Sequence, residues 1–277
     1  MTFNKKILLI IICSYLFLIK ADQIQARENT ADEPIVYQQD SLNQDIRQLK
    51  IQYRGELEEY RAAERAYLIA KDQYLKLNTL AALEDAVQKT QATMLLRDKV
   101  LRTYLRLLRL TLLSQPGVEI EAKKNAEQSL LVVLDKLETH QQMFDQVLDK
   151  PQLETIAIDY EILFAEIEDA AYQSLTLISI GELQTIHDKA ISLKNDMEVE
   201  IATAGGVLKS TERKRSFDEI DRVLSKLKPE FDQMEATYQE KTSLGYDSIY
   251  NNIQRKLGSV HSSLSQILTY LGELLKI

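Results

Sequence analysis

The sequence predicts an all-α protein: an elongated antiparallel helical bundle of six or seven helices with coiled-coil-like heptad packing. Three observations carry that expectation. Apolar residues recur at alternating spacings of three and four in every major segment, which is the primary signal of an amphipathic helix. Eight glycines and four prolines in 277 residues are too few for the turns of a β-sandwich or for Gly-rich phosphate loops. Apolar residues make up 45% of the chain and charged residues of both signs 27%, enough to fill a core and unlike a disordered composition.

The first element is an address. Lys5 and Lys6 precede an apolar run from Ile7 to Ile19, followed by Lys20 and a polar stretch ending in Ile24-Gln25-Ala26, the pattern of a Sec-type signal peptide over residues 1–26. Cleavage is expected after Ala26. The run is shorter than the roughly 20 residues a spanning helix needs, so an uncleaved N-terminal anchor is the secondary reading. Cys13 is the only cysteine; it follows bulky Ile12 in mid-segment, which argues against a lipid-modified terminus. The mature chain then holds no disulfide and no cysteine-based zinc site. Removing the segment leaves 31 basic and 41 acidic residues and moves the net charge from −8 to −10. Such an acidic chain opposes sequence-independent binding to nucleic acid. Residues 27–36, with Pro34, read as a short flexible leader, and 37–277 as the helical bundle domain.

A first helix is expected over about 37–77, where Tyr53, Tyr60, Tyr67 and Tyr74 recur every seven residues with Leu49, Ala63, Ala70 and Leu77 between them. Asn78-Thr79 interrupts it, and the seam resumes one residue out of phase as Leu80, Val87, Met94, Leu101 and Leu108. Asn and Thr suit a helix start, so a tight turn making an antiparallel pair is expected. Gln115-Pro116-Gly117 breaks the chain before a helix through Leu130, Leu137 and Phe144, which Pro151 ends. From Leu153 the seam holds register to Leu177 and slips at Gly181, which predicts a short turn or kink. Gly205-Gly206 suits a C-cap. Ser216 and Glu219 have the spacing of a capping box opening the next helix, within which Pro229 should bend or divide the run. Ser243-Leu244-Gly245 turns the chain into a last helix from Tyr246 to Leu274. The stripes of that helix and of residues 101–113 are wide enough for burial, whereas the first helix is narrow and carries Glu56 on its seam, which places it at the edge.

Candidate sites are few. Tyr53, Tyr60, Tyr67 and Tyr74 could present a partner-binding face of flat rings with polar tips, although aromatics at helical spacing more often pack inward. Arg97, Arg102, Arg106 and Arg109 beside a leucine arc form a candidate membrane-surface stripe, against the plainer reading of a polar stripe on a mostly buried helix. Asp159, Glu161, Glu166, Glu168 and Asp169 fall on different faces and read as a solvated charged surface. The residues three before His140, His187 and His261 are Leu137, Gln184 and Gly258, so the Glu-x-x-His motif of di-iron bundles is absent. His140 holds a seam position and is expected to be partly buried and hydrogen-bonded. No metalloprotease, hydrolase, phosphate-loop or dinucleotide motif occurs.

These readings converge on an exported, non-enzymatic helical scaffold or protein-interaction module of the cell envelope or extracellular space, with no cofactor and no metal. Its expected partner is protein, either a second copy or an envelope component; nucleic acid is not expected, and membrane contact is expected to be peripheral at most. The alternatives are a ligand-binding or sensory helical bundle, whose small molecule the sequence does not name, and a peripheral membrane-associated helical protein.

Overall fold

A computed structural model describes residues 33–144, 149–203, 210–239 and 245–275. The signal segment, most of the leader, Gly205-Gly206 and Ser243-Leu244 lie outside the described residues. The described residues form an all-α bundle of six helices, α1 (Glu33–Leu77), α2 (Leu80–Leu113), α3 (Ile120–Met143), α4 (Lys150–Thr203), α5 (Ser210–Gln239) and α6 (Tyr246–Leu274), with no strand among them. The chain divides into two units. Met1–Asp40 contains only the opening turns of α1 among described residues, and Ser41–Ile277 contains the bundle.

The 54-residue helix α4 organises that bundle. It packs against α2 and α3 over its first half and against α5 and α6 over its second. Pro151 opens α4 rather than ending its predecessor: it sits in the first turn, where a missing N–H is no loss, and Asp149 Oδ1 accepts from Gln152 N at 3.0 Å. Between Ala170 and Leu183 nearly every position is buried, so this stretch has no solvent face. Two of its hydroxyls bond back to the helix, Ser174 Oγ to the Ala170 carbonyl and Ser179 Oγ to the Leu175 carbonyl, both at 2.8 Å, while Thr176 Oγ1 is buried without a hydrogen-bond partner.

Two core clusters among the described residues meet along this helix. In one, Leu183, Ala190 and Met197 of α4 pack with Leu227 and Met234 of α5 and with Ile253, Leu264 and Ile267 of α6. In the other, Met94 of α2 and Phe144 after α3 pack with Leu153, Ile156 and Ala157 of α4. Consecutive helices run antiparallel. Tyr53 stacks on Tyr104 with ring centroids 5.8 Å apart, and Lys99 reaches Glu59 at 3.2 Å, which pairs α1 with α2 as the Asn78-Thr79 turn predicts. Asn78 takes φ 49°, and Thr79 Oγ1 caps α2 by accepting from Ala82 N at 3.3 Å.

Three further local expectations are corrected. α4 is continuous through Gly181, so the slip in its seam is not a turn. It marks the point where the helix exchanges α2 and α3 for α5 and α6 as neighbours. Gly181 is also where the α2–α3 connection docks, since a β-carbon there would meet the Val118 side chain, and one on Gly117 would meet the Gly181 carbonyl and Thr185 Oγ1. Ser216 lies inside α5, which begins at Ser210, because the intervening Glu-Arg-Lys-Arg run consists of good helix formers. Pro229 does not divide α5, which runs to Gln239.

The glycines supply a test. Gly181→Ala should cost about 1–3 kcal/mol in urea unfolding, because the docked turn must move. Gly258→Ala, in a helix with nothing within 4 Å of the new methyl, should instead gain about 0.5–1 kcal/mol.

Candidate functional site

The chemically richest place in the bundle is a polar centre between α2, α3 and α4. The α2 seam has two registers, and Arg97 occupies the one that also holds Thr90 and Tyr104, so its side chain turns inward with theirs. The next residue, Asp98, is fully buried, and so is His140, which takes the α3 seam position between Leu137 and Phe144. Asp98 Oδ1 accepts from Arg97 Nε at 3.2 Å and Nη2 at 3.1 Å, while Oδ2 lies 2.6 Å from His140 Nδ1. His140 Nε2 faces the Ile156 carbonyl of α4 at 3.2 Å. The Arg97 guanidinium lies 3.1 Å from the centre of the Tyr160 ring, a cation–π contact inside the bundle. His140 in turn meets the rings of Phe144 and Tyr160, with centroids 5.3 and 5.5 Å away.

The centre ties three helices together and leaves little for a substrate. Both imidazole nitrogens face acceptors; a neutral ring has one N–H and serves one of them, whereas the imidazolium serves both. Neither nitrogen is open to act as a general base. Burial pushes the Tyr160 and Tyr60 phenols well above the ordinary tyrosine range, with the Arg97 charge opposing the shift. They stay neutral at any physiological pH. Among the described residues no group of His, Cys, Asp and Glu is placed to hold a metal ion.

The tyrosine heptad divides in two. Tyr53 and Tyr60 are buried within the bundle, and Tyr67 and Tyr74 are half-buried towards the hairpin end. Glu56, on the same seam, is also buried; it accepts from Gln52 Nε2 at 2.9 Å and lies 3.7 Å from Lys99 Nζ, while its Oε2 has no hydrogen-bond partner. The candidate arginine stripe does not share one exposed face. Arg97 is interior, Arg109 binds Glu127 of α3 at 2.7 Å, Arg102 is half-buried and Arg106 alone is fully exposed. The acidic group of α4 stays dispersed, with Glu166 paired to Lys136 of α3.

Beside the polar centre, α3 and α4 leave an open groove of about 330 Å³, bounded by Asp135, Lys136, Met143, Ile162 and Glu166, with His140 in its floor. The Lys136–Glu166 ion pair spans the two helices, and the lining is mostly apolar. At the junction of the two cores, burial raises the Glu182 carboxyl above the ordinary range, and nearby Lys50 only partly offsets this. Tyr238, which accepts from Gln173 Nε2 at 3.3 Å, is pushed up to about 12 by burial.

Sequence reasoning placed His140 on a seam and missed its partner. The signal was there: Arg97 sits seven residues before Tyr104 in the second seam register, and an Arg-Asp pair in a leucine arc leaves one charge facing inward. Comparisons with protein-family models, with curated proteins and with solved structures return no match.

Two measurements probe the site. Asp98→Ala strands the buried Arg97 guanidinium and the His140 ring and should lower unfolding free energy by about 3–5 kcal/mol, whereas Arg106→Ala on the exposed side should change it by less than about 0.5 kcal/mol. Glu182→Gln should raise stability at pH 7. An acid whose folded pKa is raised favours the folded state below its unfolded pKa and loses that advantage as pH climbs through the folded value. The gain over wild type should therefore shrink towards zero as pH falls to about 4, measured by melting temperature against pH.

Proposed function

We propose that this protein is an exported, non-enzymatic helical scaffold that works as a protein-interaction module in the cell envelope or outside the cell. The observation that carries the reading is how the bundle spends its residues. Its buried polar and charged side chains Arg97, Asp98, His140 and Glu56 are engaged with one another or with neighbouring helices, while Leu68, Ile69, Leu75, Leu77 and Leu80 of the α1–α2 hairpin stand exposed. Scattered apolar residues are ordinary on a protein surface, but a cluster at one end of a hairpin marks a contact surface. The N-terminal segment, with its basic start and short apolar run, supports export.

A second reading, peripheral membrane contact, draws on the same leucines, which would also enter a lipid interface. Among the described residues no helix is long and apolar enough to cross a membrane. Of the four arginines Arg106 is exposed, Arg102 and Arg109 are partly exposed, and Arg109 is paired with Glu127.

Fractionation with N-terminal sequencing tests export: the extracytoplasmic fraction should hold a chain beginning at Arg27, and an intact N-terminus confined to the cytosol would overturn the proposal. A photo-crosslinker at Leu68 on intact cells should capture protein, and one at Glu235 on α5 should not. Co-sedimentation with anionic vesicles that is lost in an Arg102→Ala/Arg106→Ala variant would favour the membrane reading instead.

A further inference from the structure

The groove between α3 and α4 is apolar at its centre and charged at its ends. Its walls include Met143 and Ile162, 41% and 66% exposed, over a floor of buried Leu163 and His140. The polar atoms of that centre are already engaged. His140 turns its two nitrogens to Asp98 and the Ile156 carbonyl, and Thr139 Oγ1 donates to the Asp135 carbonyl at 3.1 Å. At one end Lys136 and Glu166 pair across the two helices and cancel each other's charge, which leaves Asp135 beside them uncompensated. Asp159 lines the other end, seven residues from Glu166 along α4, or about 10 Å at 1.5 Å per residue. Among the described residues neither Asp135 nor Asp159 makes an ion pair.

We propose that this groove docks an amphipathic helix of a partner protein, one that carries a basic residue at each end of a short apolar stretch. The rim sets the sign of the partner's charge. Two uncompensated carboxylates about two turns apart match Lys or Arg at positions i and i+7 of a helix, and the apolar centre matches Leu, Ile or Met at i+3 and i+4 on the same face. The acidic balance of the whole chain adds long-range attraction for such a partner. The walls select a helix over an extended strand. α3 and α4 spend their backbone groups within themselves and offer no sheet edge, so an extended segment would lay unpaired N–H and C=O groups over an apolar floor. At about 330 Å³ the groove is at the small end of ligand pockets and is open to solvent, so a small molecule in it would keep much of its surface in water. Met143 suits contact with a partner, because its unbranched side chain adapts to the shape it meets. This surface shares no residue with the hairpin leucines and goes beyond the reading of them as a contact, so either can fail without the other.

The probe is a fluorescein-labelled, alanine-based peptide carrying Lys-x-x-Leu-Leu-x-x-Lys, and the readout is its fluorescence anisotropy as the protein is added. Saturable binding is expected at low salt, weakening as salt rises. The same peptide with Glu in place of both Lys should not bind, and one with proline just before the leucines, which breaks the helix, should bind at least about tenfold more weakly. Asp135→Asn/Asp159→Asn should weaken binding of the Lys peptide about tenfold, and so should Ile162→Gln, which removes an exposed wall. Asp232→Asn/Glu235→Gln, on the exposed face of α5, changes the net charge equally and should leave the affinity within about twofold. All these positions are exposed, and circular dichroism checks that the fold is kept. No saturable binding at millimolar peptide overturns the proposal, as does equal binding of the Glu or proline peptide or an affinity unmoved by Ile162→Gln. Equal weakening by the α5 variant also overturns it, because the attraction is then to the charge of the whole chain. So does a two-chain mass by light scattering that Ile162→Gln abolishes, since the groove is then filled by a second copy.

Discussion

The bundle depends on the complete burial of the middle of α4. A helix normally keeps one face for water, and its partners then occupy the remaining arc. Between Ala170 and Leu183 no such face remains, because α2 and the α2–α3 connection cover one side while the end of α5 and the start of α6 cover others. Two cores that would otherwise be separate three- and four-helix units are thereby fused through a single rod, with no linker between them. The constraint explains the local composition. A stretch buried all round is apolar or satisfies most of its polar atoms itself: Ser174 and Ser179 do so through carbonyls of their own helix, and Thr176 Oγ1 is the exception, buried without a partner. It also explains Gly117 and Gly181, which let the connection press its backbone onto the helix where a methyl group would intervene.

Much of this was legible in the sequence, and what was not has a common cause. The helices, their approximate ends and the Asn78-Thr79 hairpin follow from the 3–4 spacing and the breakers, because those signals are local. The slip at Gly181 was visible too, but its meaning was not: a change of phase accompanies either a turn or a change of neighbours, and only the tertiary arrangement distinguishes them. Ser216 and Pro229 failed in the same way. A capping box is a favourable arrangement for a helix start, yet its residues are tolerable inside a helix when the preceding turn is itself helical, as Glu212 to Arg215 allow. A single proline in a long amphipathic run removes one hydrogen bond, which packing of Leu227, Phe231 and Met234 outweighs. The polar centre was half legible, since His140 could be placed on its seam, while the choice of Asp98 as its partner depends on how two helices are rotated about their axes.

The two cores differ in kind. Around α5 and α6 the buried side chains are aliphatic, with Ile220, Leu227, Ile253 and Ile267 almost wholly covered. Around α2 and α3 the interior is leucine-rich as well, with Leu105, Leu112, Leu130 and Leu137 buried, and adds an Arg-Asp-His centre and several tyrosines. Aliphatic packing tolerates small rotations and rewards any arrangement that excludes water, whereas a buried ion network is satisfied in one geometry and is costly in others. Aliphatic packing supplies cohesion on both sides, and the polar centre on the second side also fixes the rotation and register of α2, α3 and α4 relative to one another. Arg97 shows the division most plainly: its charge is neutralised by Asp98, and its flat face is covered by Tyr160 of a different helix.

That division bears on which part of the bundle is free to engage a partner. α1 lies outside both clusters described above, and its seat is lined by side chains that can exchange one polar neighbour for another. Glu56 keeps one oxygen without a hydrogen bond even in the closed structure, and Lys99, which serves both Glu56 and Glu59, is partly open to solvent. Local opening in proteins is concentrated where apolar contacts are fewest and polar contacts can be replaced by water. α1 meets the second condition at Glu56 and Glu59, while Tyr53, Leu57, Tyr60 and Ala70 bury apolar surface along its seat. The exposed leucines stand beyond that seat, at the end of α1 and on the turn that joins it to α2, where no packing competes with a contact from outside.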